Sequence, residues 1–472
     1  MTSPNPQPLF TRRDIVRIAG LFAAALVAAW AAAQGVESIC KALEIDPDIP
    51  SRWPVSVSRK MTPGVQTPWY EWLVAAGVLA GFVVLARLLI RRSTPGPMPV
   101  LMAGLVLIVG TNLIHGPWHG LVKPHDGPLQ YYEDTKDLDA PGPFLRQYVA
   151  RQRAALDDAE TDMPPLSCHS QTHPPGAVLL ICALDRLLGG PVGVSLAMAA
   201  LATLLSGGFL YGLLRDDVSP ETARYVTFLF LLVPSVQVYF CASLDGVIAG
   251  AMLGSLYFFR RSRTVPAVLG SAACVVAASA LTFAACFLGP VLLGIQWITQ
   301  RRVGRAMAVF ALSGVAWLLV DLSTGYNYLE SFRIASTLEN PDGFRLLVKP
   351  VSYVMTRLEN VAEIILFLGP FLLVLCWRGL REQVGKMRET SARPFLAVAT
   401  LAAVATLLAM FVTGAMHTGE TARACLFLYP YLMLPVASYL DCRPFSARDA
   451  ETLAWLVFGQ ALLMQTLLGF VW

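Results

Sequence analysis

The sequence predicts an all-α protein, a polytopic transmembrane helical bundle of about 13 spans whose extracytoplasmic loops form the site. Three observations carry this. The 472 residues are 55% hydrophobic and only 14% charged, where a soluble domain carries about 25% charged residues. Mean hydropathy is +0.56. The apolar residues also come as long uninterrupted runs and not as the stripes of half-buried elements. The net charge of +4 is spread over loops with no basic stripe, which argues against nucleic-acid binding. No Gly-rich phosphate loop with a following Lys is present, which argues against an ATP-driven pump.

The first run, 15–33, follows Arg12 and Arg13 and ends in three alanines, so it imitates a cleaved signal peptide. It is read as an uncleaved first span, because nothing after it looks like a soluble mature domain. Further runs follow at 70–90, 99–114, 191–214, 225–241, 246–259, 265–281, 283–298, 306–320, 361–377, 394–413, 424–440 and 453–471. Short Arg-rich loops at 91–92, 260–263, 301–305 and 378–393 are assigned to the cytoplasm. That puts the polar segments 34–69, 115–173 and 321–360 outside, with the N-terminus inside. The 115–173 loop has five Lys or Arg against nine Asp or Glu, which suits translocation. The organisation expected is two N-terminal helices with an outer loop (1–98) and a transmembrane core with the large first loop (99–320). A second outer loop (321–360) and C-terminal transmembrane helices (361–472) complete it.

Residues 176–188 are too short to span and are opened by His173-Pro174-Pro175. Ten to fourteen apolar residues read as a re-entrant or interfacial helix, with its prolines at the first turn, where a missing N–H costs nothing. The nine cysteines form no CxxC pair. Six lie in apolar runs as packing residues. Cys40 and Cys168 lie in polar loops, where a disulfide between them is one option.

In such a chain reactive polar residues belong in loops or protected cavities. The unusual ones fall at 125–127, 131–134, 169–173, 245, 326–333 and 417–423, all on the side expected to be outside. Singly each reads as a solvated loop residue; their agreement on one face argues for one outward-facing site. Glu133 and Asp134 stand beside Tyr131 and Tyr132, where partial desolvation suits a general base; a helix cap is the alternative. Asp126 before a glycine reads as a turn residue. His169 and His173 are four apart, which on a helix would make a metal pair. The proline after His173 opposes helical dihedrals there, so binding of a phosphate or sugar at the next helix is the reading preferred. Asp245 either caps the following helix or faces a cavity. Glu420 and Arg423 share a helical face and can pair, or Arg423 can grip an anionic leaving group.

The order of these motifs resembles the GT-C superfamily of integral-membrane glycosyltransferases, which includes the protein O-mannosyltransferases and the aminoarabinose transferases of lipid A. The residues that carry the resemblance are Tyr132-Glu133-Asp134, then Thr172-His173-Pro174-Pro175-Gly176, then Asp245, and late in the chain Gly419-Glu420-Thr421-Ala422-Arg423. It runs from about residue 100 to 440. The acidic motif here follows a third span instead of the first, which implies two extra N-terminal helices.

The resemblance implies a sugar moved from a polyprenyl-phosphate donor to a lipid, glycan or protein acceptor beside the bilayer, with inversion. It implies a carboxylate base, Asp134 or else Glu133, and cationic stabilisation of the leaving phosphate by Arg423, His173 or His169, with Lys349 and Arg357 as further candidates. Asp245 and Glu420 join the substrate-binding set. A divalent cation is compatible with this chemistry and none is required. Two other readings compete: another lipid-linked transferase, such as a polymerase or ligase, and a transporter or flippase. The last would put charged or broken helices at mid-bilayer.

Overall fold

The structure, a computed structural model, describes residues 8–44, 58–59, 69–92, 96–127, 129–136, 138, 140–157, 165–262, 264–390, 393–415 and 420–470. These are almost wholly helical, apart from an antiparallel pair of two-residue strands, Ser58–Arg59 with Gly469–Phe470. Among the described residues six helices are long and apolar enough to cross a membrane: Arg12–Ala42, Trp69–Arg91, Gly190–Leu214, Phe283–Gln300, Gly304–Thr324 and Phe395–Val412. Pro350–Leu368 and Pro370–Glu389 make a seventh if counted together, though they are bent by 98°. Met98–Asn112 and Val265–Leu281 are apolar but shorter.

The thirteen apolar runs therefore do not all fold as single spanning helices. The run at 225–241 is split into Pro220–Leu232 and Pro234–Tyr239. Val233, ahead of a proline, takes an extended ψ of 137°. The run at 361–377 is split at Gly369, whose φ is +88° and whose added Cβ would lie 2.5 Å from the Gln460 Oε1. Glycine is favoured there because a positive φ strains any residue that carries a Cβ. The short helix is found at Gly176–Leu188, as expected.

The chain forms two compact units, one of residues 1–116, 210–239 and 345–472, the other of 117–209 and 240–344. In the first, Phe82 stacks on Phe458 with centroids 4.3 Å apart and meets Trp455 edge-on. The break after Leu232 leaves the Leu231 carbonyl needing a donor in an apolar setting, and Gln237 Nε2 supplies it at 2.5 Å. Asn112 Nδ2 donates to the Gln237 carbonyl at 2.7 Å, and Gln465 Nε2 reaches the same oxygen at 3.3 Å. In the second, Leu244–Arg260 lays Gly246, Gly250 and Gly254 against Ala202, Leu205 and Phe209, all within 2.7 Å of a notional Cβ. Small residues four apart let helix backbones approach closely. This unit also holds a core of Leu138, Phe144, Tyr148, Leu166, Val178, Cys182 and Tyr326. Cys40 is buried, Cys168 is exposed, and both are free thiols.

Candidate active site

In the second unit one helical turn, Tyr131–Thr135, presents the acidic pair. Its two carboxylates have opposite surroundings. Asp134 is 6% exposed. Its carboxylate accepts the Ser167 N–H at 3.1 and 3.2 Å and the Ser170 hydroxyl at 2.5 Å, with Arg151 Nη2 at 3.7 Å. Glu133 is half exposed and pairs with Lys136 at 2.6 Å. Arg151 comes from Pro141–Leu156, the helix that also supplies Tyr148 and Gln152. The Tyr148 hydroxyl reaches the carbonyls of Ser170 and His173 at 2.5 and 2.9 Å. Gln152 Nε2 donates to the Gln171 carbonyl at 2.8 Å. The segment 165–173 is thus bonded along its length, and Asp134 is tied into it.

His169 and His173 do not share a helical face, because Cys168–Gln171 is a single turn that ends at Thr172. They converge on Tyr131 instead, each ring 5.6 Å from the tyrosine ring and 6.5 Å from the other. The His169 carbonyl lies 3.0 Å from His173 Nδ1. The Thr172 hydroxyl lies 3.2 Å from the same nitrogen. Beyond it, Pro175 caps Gly176–Leu188. A Cβ on Gly176 would lie 2.3 Å from the Ala280 carbonyl oxygen, so this glycine lets the histidine segment rest on the neighbouring helix.

Asp185 fixes the turn from behind, a part that sequence reasoning missed. The Tyr132 hydroxyl donates to Asp185 Oδ1 at 2.7 Å, and the Gly190 N–H donates to the same oxygen at 2.9 Å. The signal for Asp185 was present in the sequence, as a charge inside a 13-residue apolar helix. His125 lies 2.9 Å from the Ser195 hydroxyl, whose own proton goes to the Leu121 carbonyl at 2.7 Å, so His125 Nε2 is the donor.

Burial holds the His125 imidazole neutral, with its pKa lowered from 6.5 to about 4. The unfolded chain takes up that proton first, so stability contributed by the neutral ring is complete above pH 6.5 and is lost as pH falls toward about 4. The loss expected is up to ~3 kcal/mol. Unfolding measured in detergent between these pH values should be steeper for the natural chain than for His125→Gln; parallel curves would refute it.

Asp245 lies in the first turn of Leu244–Arg260, and the Ser243 hydroxyl both caps its N–H at 3.1 Å and donates to its carboxylate at 2.8 Å. In the first unit Lys349 is the residue before Pro350–Leu368. Arg357 spends its guanidinium on the Phe411 carbonyl at 2.9 Å and on the Ala415 carbonyl, at the end of Phe395–Val412. Glu420 and Arg423 form an ion pair. His417, from the same late motif, lies outside the described residues. Among the described residues no three His, Cys, Asp or Glu side chains gather as a metal site.

No family model matches the chain, and no curated protein matches it by sequence. Its fold is similar to that of solved structures. The oligosaccharyltransferase of Archaeoglobus fulgidus, solved as a complex with zinc and sulfate, aligns with 79% of this chain at TM-score 0.50 and 14% identity. ArnT from Cupriavidus metallidurans bound to undecaprenyl phosphate aligns with 74% of it at TM-score 0.42 and 18% identity. The matches cover 53% and 62% of those two chains, so this chain spans between half and two thirds of their length.

Proposed function

We propose that this chain, which has the GT-C fold of membrane glycosyltransferases, moves a sugar from a polyprenyl-phosphate donor to an acceptor hydroxyl outside the cytoplasm. The observation that carries the reading is the cluster on one turn: Asp134 and Glu133 beside Tyr131, with His169 and His173 around the same ring. Outside the cell there are no nucleotide sugars, so a lipid phosphate is the natural carrier. The acceptor oxygen attacks the anomeric carbon as the bond from that carbon to the phosphate oxygen breaks. The electron pair leaves on the phosphate, the acceptor proton goes to a carboxylate, and a single displacement inverts the centre.

Asp134 is the base proposed and Glu133 the alternative. A lipid phosphate needs no general acid but gains from cationic or N–H donors. His169 and His173 offer imidazoles in the same cluster. Arg423 is proposed separately, as a ligand of the lipid phosphate through its guanidinium fork. Asp134 is surrounded by an N–H and a guanidinium, which cannot bind a metal, and by a hydroxyl whose proton it already accepts. The surroundings do not suit a divalent ion at that carboxylate, and no step is routed through one.

The experiment is transfer of labelled sugar from a panel of polyprenyl-phosphate sugars in membranes containing the natural chain, scored as label on any acceptor. Transfer above that of membranes lacking the chain is the expected result. No transfer across the panel would sink the reading in favour of a transporter.

A further inference from the structure

The first unit carries a buried polar ladder that the transfer chemistry does not use. Pro350–Leu368 is an apolar helix, yet Asn360 and Glu363 are fully buried in it. They stand three apart, on one helical face. Both are aimed at the short turn Thr421–Ala424. The Thr421 hydroxyl donates to Asn360 Oδ1 at 2.6 Å, and the Ala422 N–H donates to Glu363 Oε2 at 3.2 Å. Thr421 and Ala422 are themselves fully buried.

The next residue is Arg423. The residue before the pair, Glu420, sits at φ +55°, in the left-handed region. A side chain other than glycine or asparagine persists there only where surrounding contacts over-determine it. The two bonds to Asn360 and Glu363 are such contacts, made to the two residues that follow the strained one. They fix the backbone on which Arg423 is carried, and Arg423 pairs with Glu420 across the same turn.

We infer that Asn360 and Glu363 are positioning residues for Arg423, holding its turn so that the guanidinium is preset for the phosphate of a polyprenyl-phosphate ligand. This rests on the reading of Arg423 as a lipid-phosphate ligand. Preorganising an arginine matters because its fork binds phosphate only in a narrow range of orientations. The acceptor oxygens at 360 and 363 matter more than the charge at 363: Glu363→Gln keeps an oxygen for the Ala422 N–H, and Thr421→Ser keeps a hydroxyl for Asn360.

The test compares binding of undecaprenyl phosphate with binding of undecaprenol by the full chain in phosphatidylcholine nanodiscs. Preference for the phosphate separates the contribution of the cation from that of the polyprenyl chain, which both ligands share. The natural chain is expected to prefer the phosphate, and Arg423→Ala to lose that preference. Glu363→Ala and Thr421→Val are expected to reduce it about tenfold, the cost of one lost bond to a charged or buried group. Glu363→Gln and Thr421→Ser are expected to keep it.

Thr421→Val guards against misfolding: it is isosteric and leaves the Pro350–Leu368 helix untouched if Glu363→Ala does not fold. If Arg423→Ala loses the preference while Glu363→Ala and Thr421→Val both keep it, the positioning role is overturned and Arg423 stands. Loss in Glu363→Gln equal to that in Glu363→Ala overturns it too, since charge would then be acting. If the natural chain shows no preference, or Arg423→Ala keeps it, the reading of Arg423 falls and this inference with it.

Discussion

Asp134→Asn is expected to lower sugar transfer by about 10²–10⁴-fold, the range for removing a general base. The substitution is informative because it separates two roles that the geometry superimposes. As an anchor, Asp134 accepts the Ser167 N–H and the Ser170 hydroxyl. Ser167 in turn donates its hydroxyl to Ser170 Oγ at 2.9 Å. Asparagine retains one oxygen for the Ser167 N–H, and its amide can donate to Ser170 Oγ, which has a free lone pair. The anchor is therefore largely kept, while the capacity to take a proton is lost. Ser170→Ala makes the complementary change, removing one bond and leaving the carboxylate.

If Asp134 is the base, Asp134→Asn collapses activity and Ser170→Ala costs only a few-fold. If it is an anchor alone, the two variants should fall together. Glu133→Gln completes the set. Glu133 is half exposed and pairs with the exposed Lys136, so its substitution has little structural cost. Collapse in Glu133→Gln with residual activity in Asp134→Asn would transfer the role of base to Glu133. Equal protein abundance is required in each comparison.

Much of the helical layout was legible because punctuation was strong. Residues 176–188 and 265–281 fold with those limits, since prolines open both and Gly189 or Thr282 closes them. Hydropathy failed where an apolar run continued through a break in the backbone. Gly369 sits inside such a run, and nothing in the hydrophobicity of its neighbours registers a left-handed φ. The acidic turn was legible because two carboxylates beside two tyrosines are unusual in this composition.

Its partners were not legible. Arg151, Ser170 and Tyr148 reach the cluster from elsewhere in the loop through tertiary packing, which no local spacing encodes. Asn360 and Glu363 were passed over for a different reason: they fall where polar loop and apolar run were expected to meet, and polar residues there look ordinary. Arg357 had the composition of a phosphate ligand, but its guanidinium serves helix-end carbonyls, a use that depends on where another helix stops.

The second large effect is expected at Arg151. Its side chain is 8% exposed and that of Asp134 3%, with 3.7 Å between Nη2 and Oδ1. A buried pair contributes little net stability when both partners are present, because desolvation offsets attraction; removing one partner leaves a buried charge uncompensated, at about 3–5 kcal/mol. Arg151→Met should therefore loosen the segment around Ser167 by about that much. Hydrogen exchange at the amides of Ser167 and His169, which bond to Asp134 and to the Leu129 carbonyl, reads the local opening directly. A loss of 3 kcal/mol is faster exchange by roughly 10²-fold.

Arg151 also lies over the Phe144 ring at 5.7 Å and reaches the Pro165 carbonyl at 3.4 Å, so Met alone would not isolate the charge. The double variant Asp134→Asn with Arg151→Met does. If the charge dominates, removing both partners costs less than the sum of the singles by about 0.5–3 kcal/mol, the range for residues in one network. If the two changes simply add, Arg151 acts through its packing on Phe144 and its bond to Pro165, and Asp134 is held by the two serines alone. The outcome bears on the chemistry as well. A coupled pair would make Arg151 the residue that fixes where the Asp134 carboxylate points, and an additive result would leave that to Ser167 and Ser170.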